Sequence, residues 1–149
     1  MGYDDVIYKH LGGASKVEKY IAALWVHVQA YYCHPSLTSK VLVERMPGIK
    51  HYKGKDLSDR KLSKMKKETV NDLDGADLML YMSGNCNRCS TGGGKAYKGS
   101  VCNSEDKYKQ SICRYGRSQA RTASTLAHEI GHNLGMRLIL FTYSPHIQA

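Results

Sequence analysis

Apolar residues recur at helical spacing in two long stretches of this chain, with short apolar runs between them. From Ser15 to Tyr32, the residues Val17, Tyr20, Ile21, Ala23, Leu24, Val28 and Tyr31 make a broad apolar face, and Cys33-His34-Pro35 stops the pattern. This spacing predicts an amphipathic helix over 15–32. Towards the other end Ala123, Leu126, Ala127, Ile130 and Leu134 repeat with the same period. Ser118, Thr122, Ser124 and Thr125 offer N-caps there, and Gly135 suits the left-handed turn that closes a helix. Between the two stretches, Val41, Leu42 and Val43 predict a short strand over 40–44, and Asp77 to Met82 reads as a buried strand. A further strand is expected over Lys95 to Val101, entered through the glycine-rich loop Ser90 to Gly94. Leu57, Leu62, Met65 and Val70 fit a helix with one apolar side, capped by Asp56 or Ser58. Alternating strands and helices predict an α/β domain whose sheet packs helices, with no internal repeat.

Composition supports one such domain. The 149 residues are 42% hydrophobic and 9% aromatic, enough for a single compact core and unlike a collagen or low-complexity chain. No stretch approaches the roughly 20 apolar residues of a membrane span. Met1-Gly2-Tyr3-Asp4-Asp5 lacks the basic and apolar regions of a signal peptide, so no export signal is expected in the chain as it stands. The net charge of +9 draws on 22 basic residues. Lys50, Lys53, Lys55, Arg60, Lys61, Lys64, Lys66 and Lys67 concentrate on or near the third predicted helix. Such a run is either a solvated helix face or a surface for acidic glycans and cell surfaces; with no DNA or RNA motif beside it, a nucleic-acid partner is not expected.

The chemistry concentrates in His128-Glu129-Ile130-Gly131-His132-Asn133-Leu134-Gly135, an HExxHxxG pattern. On a helix, His128 and His132 lie one turn apart, roughly 6 Å along the axis, so both imidazoles can reach one ion. Glu129 falls beside them. Zinc lowers the pKa of a bound water to about 7, and an adjacent carboxylate can take its proton during attack on a peptide carbonyl. The residues therefore nominate His128 and His132 as zinc ligands and Glu129 as catalytic base. The plainer alternative is a surface helix with two satisfied histidines.

The run from Ala123 to Met136 resembles the active-site helix of the adamalysin (reprolysin, ADAM-type) branch of the metzincin zinc endopeptidases. Gly94-Lys95-Ala96-Tyr97-Lys98-Gly99-Ser100-Val101-Cys102 resembles that family's cleft-edge strand and the cysteine after it. Ser111-Ile112, and Tyr115-Gly116 through Ala120, resemble the approach to the helix. Weaker similarity covers His27 to Tyr32, like the family's first large helix, and Ala76 to Tyr81, like a central strand. The resemblance implies a metzincin-like α/β domain with a mixed twisted sheet flanked by helices, an HExxH helix and an incomplete C-terminal subdomain. It further implies a Zn2+ cofactor, a polypeptide substrate lying extended along Gly94, Lys95 and Ala96, and secretion to the extracellular space. The structural alternative for Gly92-Gly93-Gly94 is an ordinary hairpin tip; a phosphate loop is excluded because no GKS or GKT follows.

Two departures from the family pattern bear on activity. The family continues to a third histidine three residues after the glycine, whereas Met136-Arg137-Leu138-Ile139 stands here, and leucine has no lone pair for zinc. The third ligand is therefore unassigned. His146, in Tyr143-Ser144-Pro145-His146, could return to the metal, or it could be a terminal histidine without that role. The family's methionine turn is not seen after Leu138 either. Residues 1–14 are expected to form an atypical N-terminal segment, 15–136 a partial catalytic domain, and 137–149 an unrelated tail. Impaired zinc binding and proteolysis follow from this organisation; a noncatalytic remnant binding a protein or polyanionic glycan through its basic face is the alternative.

Cys33, Cys86, Cys89, Cys102 and Cys113 add a last possibility. In a secreted protease they would pair as disulfides with one partner left over. Cys86, Cys89, Cys102 and Cys113 could instead hold a structural zinc, although a second CxxC knuckle is missing. Cys86-Asn87-Arg88-Cys89 does not open a helix after a strand, which sets a redox role aside.

Overall fold

The computed structural model describes residues 1–35, 37, 41–54, 62–84, 93–116 and 118–137. Five strands and four helices follow in the order β1 (Gly2–Tyr3), α1 (Asp5–Leu11), α2 (Ala14–Tyr32), β2 (Lys50–His51), α3 (Leu62–Thr69), β3 (Met79–Ser83), β4 (Gly94–Ala96), β5 (Gln110–Arg114) and α4 (Gln119–Asn133). The strands form one mixed sheet ordered β2-β1-β3-β5-β4. β1 runs parallel to β2 and β3, β3 runs parallel to β5, and β4 is antiparallel to β5. The α/β class and the mixed, helix-flanked sheet are thus as the sequence predicts.

Side chains alternate across β3 and split the core in two. Leu80 and Met82 point to one face, where Val17, Ile21, Leu24, Val28 and Tyr32 of α2 meet Ala123, Leu126, Ala127 and Ile130 of α4. Met79 and Tyr81 point to the other, against Leu62 and Met65 of α3 together with Tyr52, Leu73 and Ile112. Helices on both faces leave β3 buried along its whole length, the setting that favours a near-continuous apolar strand. Each fully buried aliphatic side chain contributes about 1.5–3 kcal/mol by leaving water. On α3, Leu62, Met65 and Thr69 turn inward while Lys64 and Lys67 face solvent. Lys66 lies over the Tyr108 ring, 4.3 Å from its centroid.

Three expectations change. Residues 41–46 form no strand: Val43 donates its N–H to Gln29 Oε1 at 2.9 Å, and its carbonyl accepts from Trp25 Nε1 at 2.9 Å. Val41 and Val43 pack against the core that α2 builds, with helix side chains in place of a neighbouring strand, while Leu42 is exposed. The strand expected over 95–101 is confined to Gly94–Ala96, because the chain turns at Gly99 (φ +62°) towards the end of α4. Residues 1–14 supply β1 and α1 to the same sheet and core. Their junction is fastened by the buried Asp4 carboxylate. Oδ1 accepts from Val6 N and Ile7 N at 3.1 Å each, while Oδ2 accepts from Ser83 Oγ at 2.8 Å and Gly84 N at 2.9 Å. Among the described residues, no helix is long and apolar enough to cross a membrane.

Candidate metal and catalytic site

The helix that carries the HExxH pattern is fixed at both ends. Ser118 caps its start, accepting Arg121 N at 3.2 Å. One turn in, the buried Thr122 hydroxyl accepts Gly116 N at 2.9 Å and Tyr20 OH at 3.3 Å. Tyr32 OH donates to Ala127 O at 2.6 Å, joining the middle of α4 to α2. At the far end Gly135 adopts φ +96°, and Met136 N returns to Gly131 O at 2.9 Å, closing the helix by a left-handed turn. The segment 97–101 clamps this end. Gly99 N donates to His132 O at 2.8 Å and Val101 N to Asn133 O at 3.1 Å. The Asn133 amide in turn donates to Tyr97 O at 2.9 Å and to Ser100 Oγ at 2.8 Å.

His128 and His132 sit one turn apart with ring centroids 4.5 Å from each other and ring planes at 87°. His132 Nδ1 lies 2.9 Å from the Met136 carbonyl. A carbonyl can only accept, so Nδ1 carries the proton and Nε2 keeps the lone pair that a metal would use. Hydrogen bonding of the non-ligating nitrogen to a carbonyl is how metal-bound histidines are held in orientation. Both rings are half-buried.

Glu129, between them in sequence, is 2% exposed. Its Oε2 has no hydrogen-bond partner among the described residues. Burial disfavours the charged form and pushes its carboxyl up to about 7. Cys113 lies in the same buried layer, its thiol pushed up by burial and by the Glu129 charge. β4 runs past this carboxylate as the outermost strand of the sheet on its side, with Gly94 opposite Cys113, Lys95 opposite Ile112 and Ala96 opposite Ser111. Gly94 and Ala96 are half-buried and Lys95 is exposed.

The two neighbouring imidazoles, with Nε2 of His132 left unprotonated, offer two of the roughly four donors of a tetrahedral zinc site. Among the described residues, no group of three or more His, Cys, Asp or Glu side chains converges on one point. Leu138 and His146 lie outside the described residues.

The sequence from 19 to 137 matches the model of the Metallo-peptidase family M12B Reprolysin-like. The chain belongs to this family. Reprolysin-like metallopeptidases are zinc-dependent as a family, and the α/β sheet described above is that of a metzincin-like domain. No curated protein matches the chain. A solved structure described as "Structure of a chaperone-substrate complex" is similar in fold, with a TM-score of 0.66 and 17% identity over 91% of this chain. The chain spans 22% of that solved chain's length, and at such identity the likeness concerns the fold alone.

Within this reprolysin-like domain Cys33 and Cys102 are exposed and free, and Cys113 is buried and free. Cys86 and Cys89, needed for the four-cysteine zinc alternative, lie outside the described residues. Periodicity did not reveal the groups that orient the site: the Met136 carbonyl, Asn133 and the clamp at 97–101. The one local hint was an asparagine directly after the second histidine, a polar residue where the helix turns inward.

Proposed function

We propose that this chain is a zinc-dependent metalloendopeptidase domain of the adamalysin/reprolysin type, with His128 and His132 as metal ligands and Glu129 as general base. The observation that carries it is the Glu129 carboxyl: buried, without a partner at Oε2 among the described residues, raised to about 7, and next in sequence to one of a pair of neighbouring histidines. A base is most effective when its pKa lies near the working pH. Zinc held there would acidify a bound water and polarise the scissile carbonyl. The protein's own part is to orient the His132 imidazole through the Met136 carbonyl, to fix the end of its helix through the clamp, and to keep Glu129 buried. It would also offer the outer edge of Gly94, Lys95 and Ala96 to an extended polypeptide by strand addition.

Leu138 at the third-ligand position makes the site weak. Loss of an outer-shell partner alone costs roughly 10- to 100-fold in metal affinity or activity, and a ligand should cost at least as much. Secretion to the extracellular space is proposed together with this reading; among the described residues Cys33, Cys102 and Cys113 form no disulfide. The second reading is a noncatalytic domain that binds acidic glycans or cell surfaces, favoured by Lys64 and Lys67 standing in solvent on α3. Metal analysis after equilibrium dialysis separates the two. The peptidase reading expects bound zinc that is lost in His128→Ala, and peptide cleavage strengthened by Leu138→His and abolished by Glu129→Ala. Zinc-free protein that elutes from heparin only at raised salt would favour the second.

A further inference from the structure

We propose that Gly94 is a positioning residue for Glu129: the missing side chain at 94 leaves the buried volume in which the carboxylate lies. A Cβ built on Gly94 would stand 2.5 Å from Glu129 Oε1, 2.6 Å from Cγ and 2.7 Å from Cδ, closer than real Cβ atoms come to any heavy atom. Backbone conformation does not demand glycine here. Gly93 has φ +79°, a region that favours glycine, whereas Gly94 is a strand residue outside that region, as most amino acids can be. Space beside the strand is what residue 94 must supply, and Glu129 already fills it.

Neither wall of this slot is free to retreat. β4 is held to β5 by its ladder and by Arg114 N donating to Gly93 O at 2.7 Å. α4 is held by the hydrogen bonds from 97–101 to His132 and Asn133. A methyl group at 94 must therefore displace the carboxylate itself. The glycine that family likeness connects with an approaching peptide serves, on its inner side, the base of the same site. The importance of that base rests on the peptidase reading, whereas the slot rests on geometry alone.

A double-mutant cycle on metal-free protein, read by urea denaturation, tests the slot. Gly94→Ala should raise the unfolded-to-folded ratio about tenfold or more in the native background. In the Glu129→Ala background, where the methyl enters vacated space, the same change should alter the ratio less than about threefold. Glu129→Asp, which keeps an atom at Cγ but shortens the reach of the carboxylate, should rescue Gly94→Ala less than Glu129→Ala does. Equal penalties in both backgrounds, or none in either, would overturn the proposal. Should Gly94→Ala alone fail to fold, a folded Gly94→Ala/Glu129→Ala protein supports it and an unfolded one overturns it. Because no metal enters the measurement, the cycle can succeed where zinc binding and cleavage fail, and the reverse.

Discussion

The helices α2 and α4 lie side by side on one face of the sheet, yet they bury different things. The inward residues of α2 are Val17, Ile21, Leu24, Val28 and Tyr32, apolar or aromatic throughout. Those of α4 include Thr122, Glu129 and Asn133 among Ala123, Leu126, Ala127 and Ile130. Burying a polar group costs free energy unless it is hydrogen-bonded, and burying a charge costs more. Thr122 and the amide nitrogen of Asn133 are bonded; Glu129 Oε2 and Asn133 Oδ1 have no partner among the described residues. One helix is a packing element. The other carries polar groups that packing alone does not explain, at the place where the metallopeptidase pattern lies.

The largest test of that contrast removes packing from α2. Leu24 is fully buried, so Leu24→Ala should cost about 2–5 kcal/mol in urea denaturation. Whatever zinc the folded fraction binds should be unchanged, since Leu24 belongs to α2, which carries none of the site residues; a parallel loss of zinc per folded molecule would show the helices are not separable in this way.

Next in size is pH dependence. The folded carboxyl of Glu129 titrates near 7, above its ordinary value of 4.5, so the metal-free fold prefers the protonated form. The contribution is fully present below about pH 4.5 and is lost as pH rises through about 7. At about 1.4 kcal/mol per unit the loss is at most about 3 kcal/mol. Glu129→Gln should flatten this slope between about pH 5 and about pH 8, whereas an unchanged slope would assign it to other groups.

The smallest effect concerns the clamp. Asn133→Ala removes two donated hydrogen bonds and should cost about 1–3 kcal/mol. Amide exchange at Gly99 and Val101 should speed up while exchange within α2 stays as it was. Uniform acceleration across both helices would mean that the clamp is part of the global core.

Much of the fold was legible where periodicity runs long enough. The helix expected over 15–32 is found at Ala14–Tyr32, and Ser118 and Gly135 do mark the ends of α4. Short elements were not legible: β1 has two residues, too few for any alternation to register. β5 was read only as an approach to the helix, because its buried Gln110 and Ser111 look like surface residues in sequence. Val41 and Val43 failed in the opposite sense, as β-branched residues whose backbone is claimed by Trp25 and Gln29. At the site, the histidine spacing and the intervening acid could be read from a one-turn helical repeat. The orientation of His132 through a backbone carbonyl, and the slot at Gly94, depend on contacts across sequence that no local pattern encodes.

Asp4 has a practical consequence at the other end of the molecule. A single side chain there takes four hydrogen bonds from two segments, so it works as a rivet that joins the end of the first strand to the first helix and to the exit of the central strand. Recombinant versions trimmed past this residue would unbutton all three together, and fusion partners belong at least a few residues upstream of it.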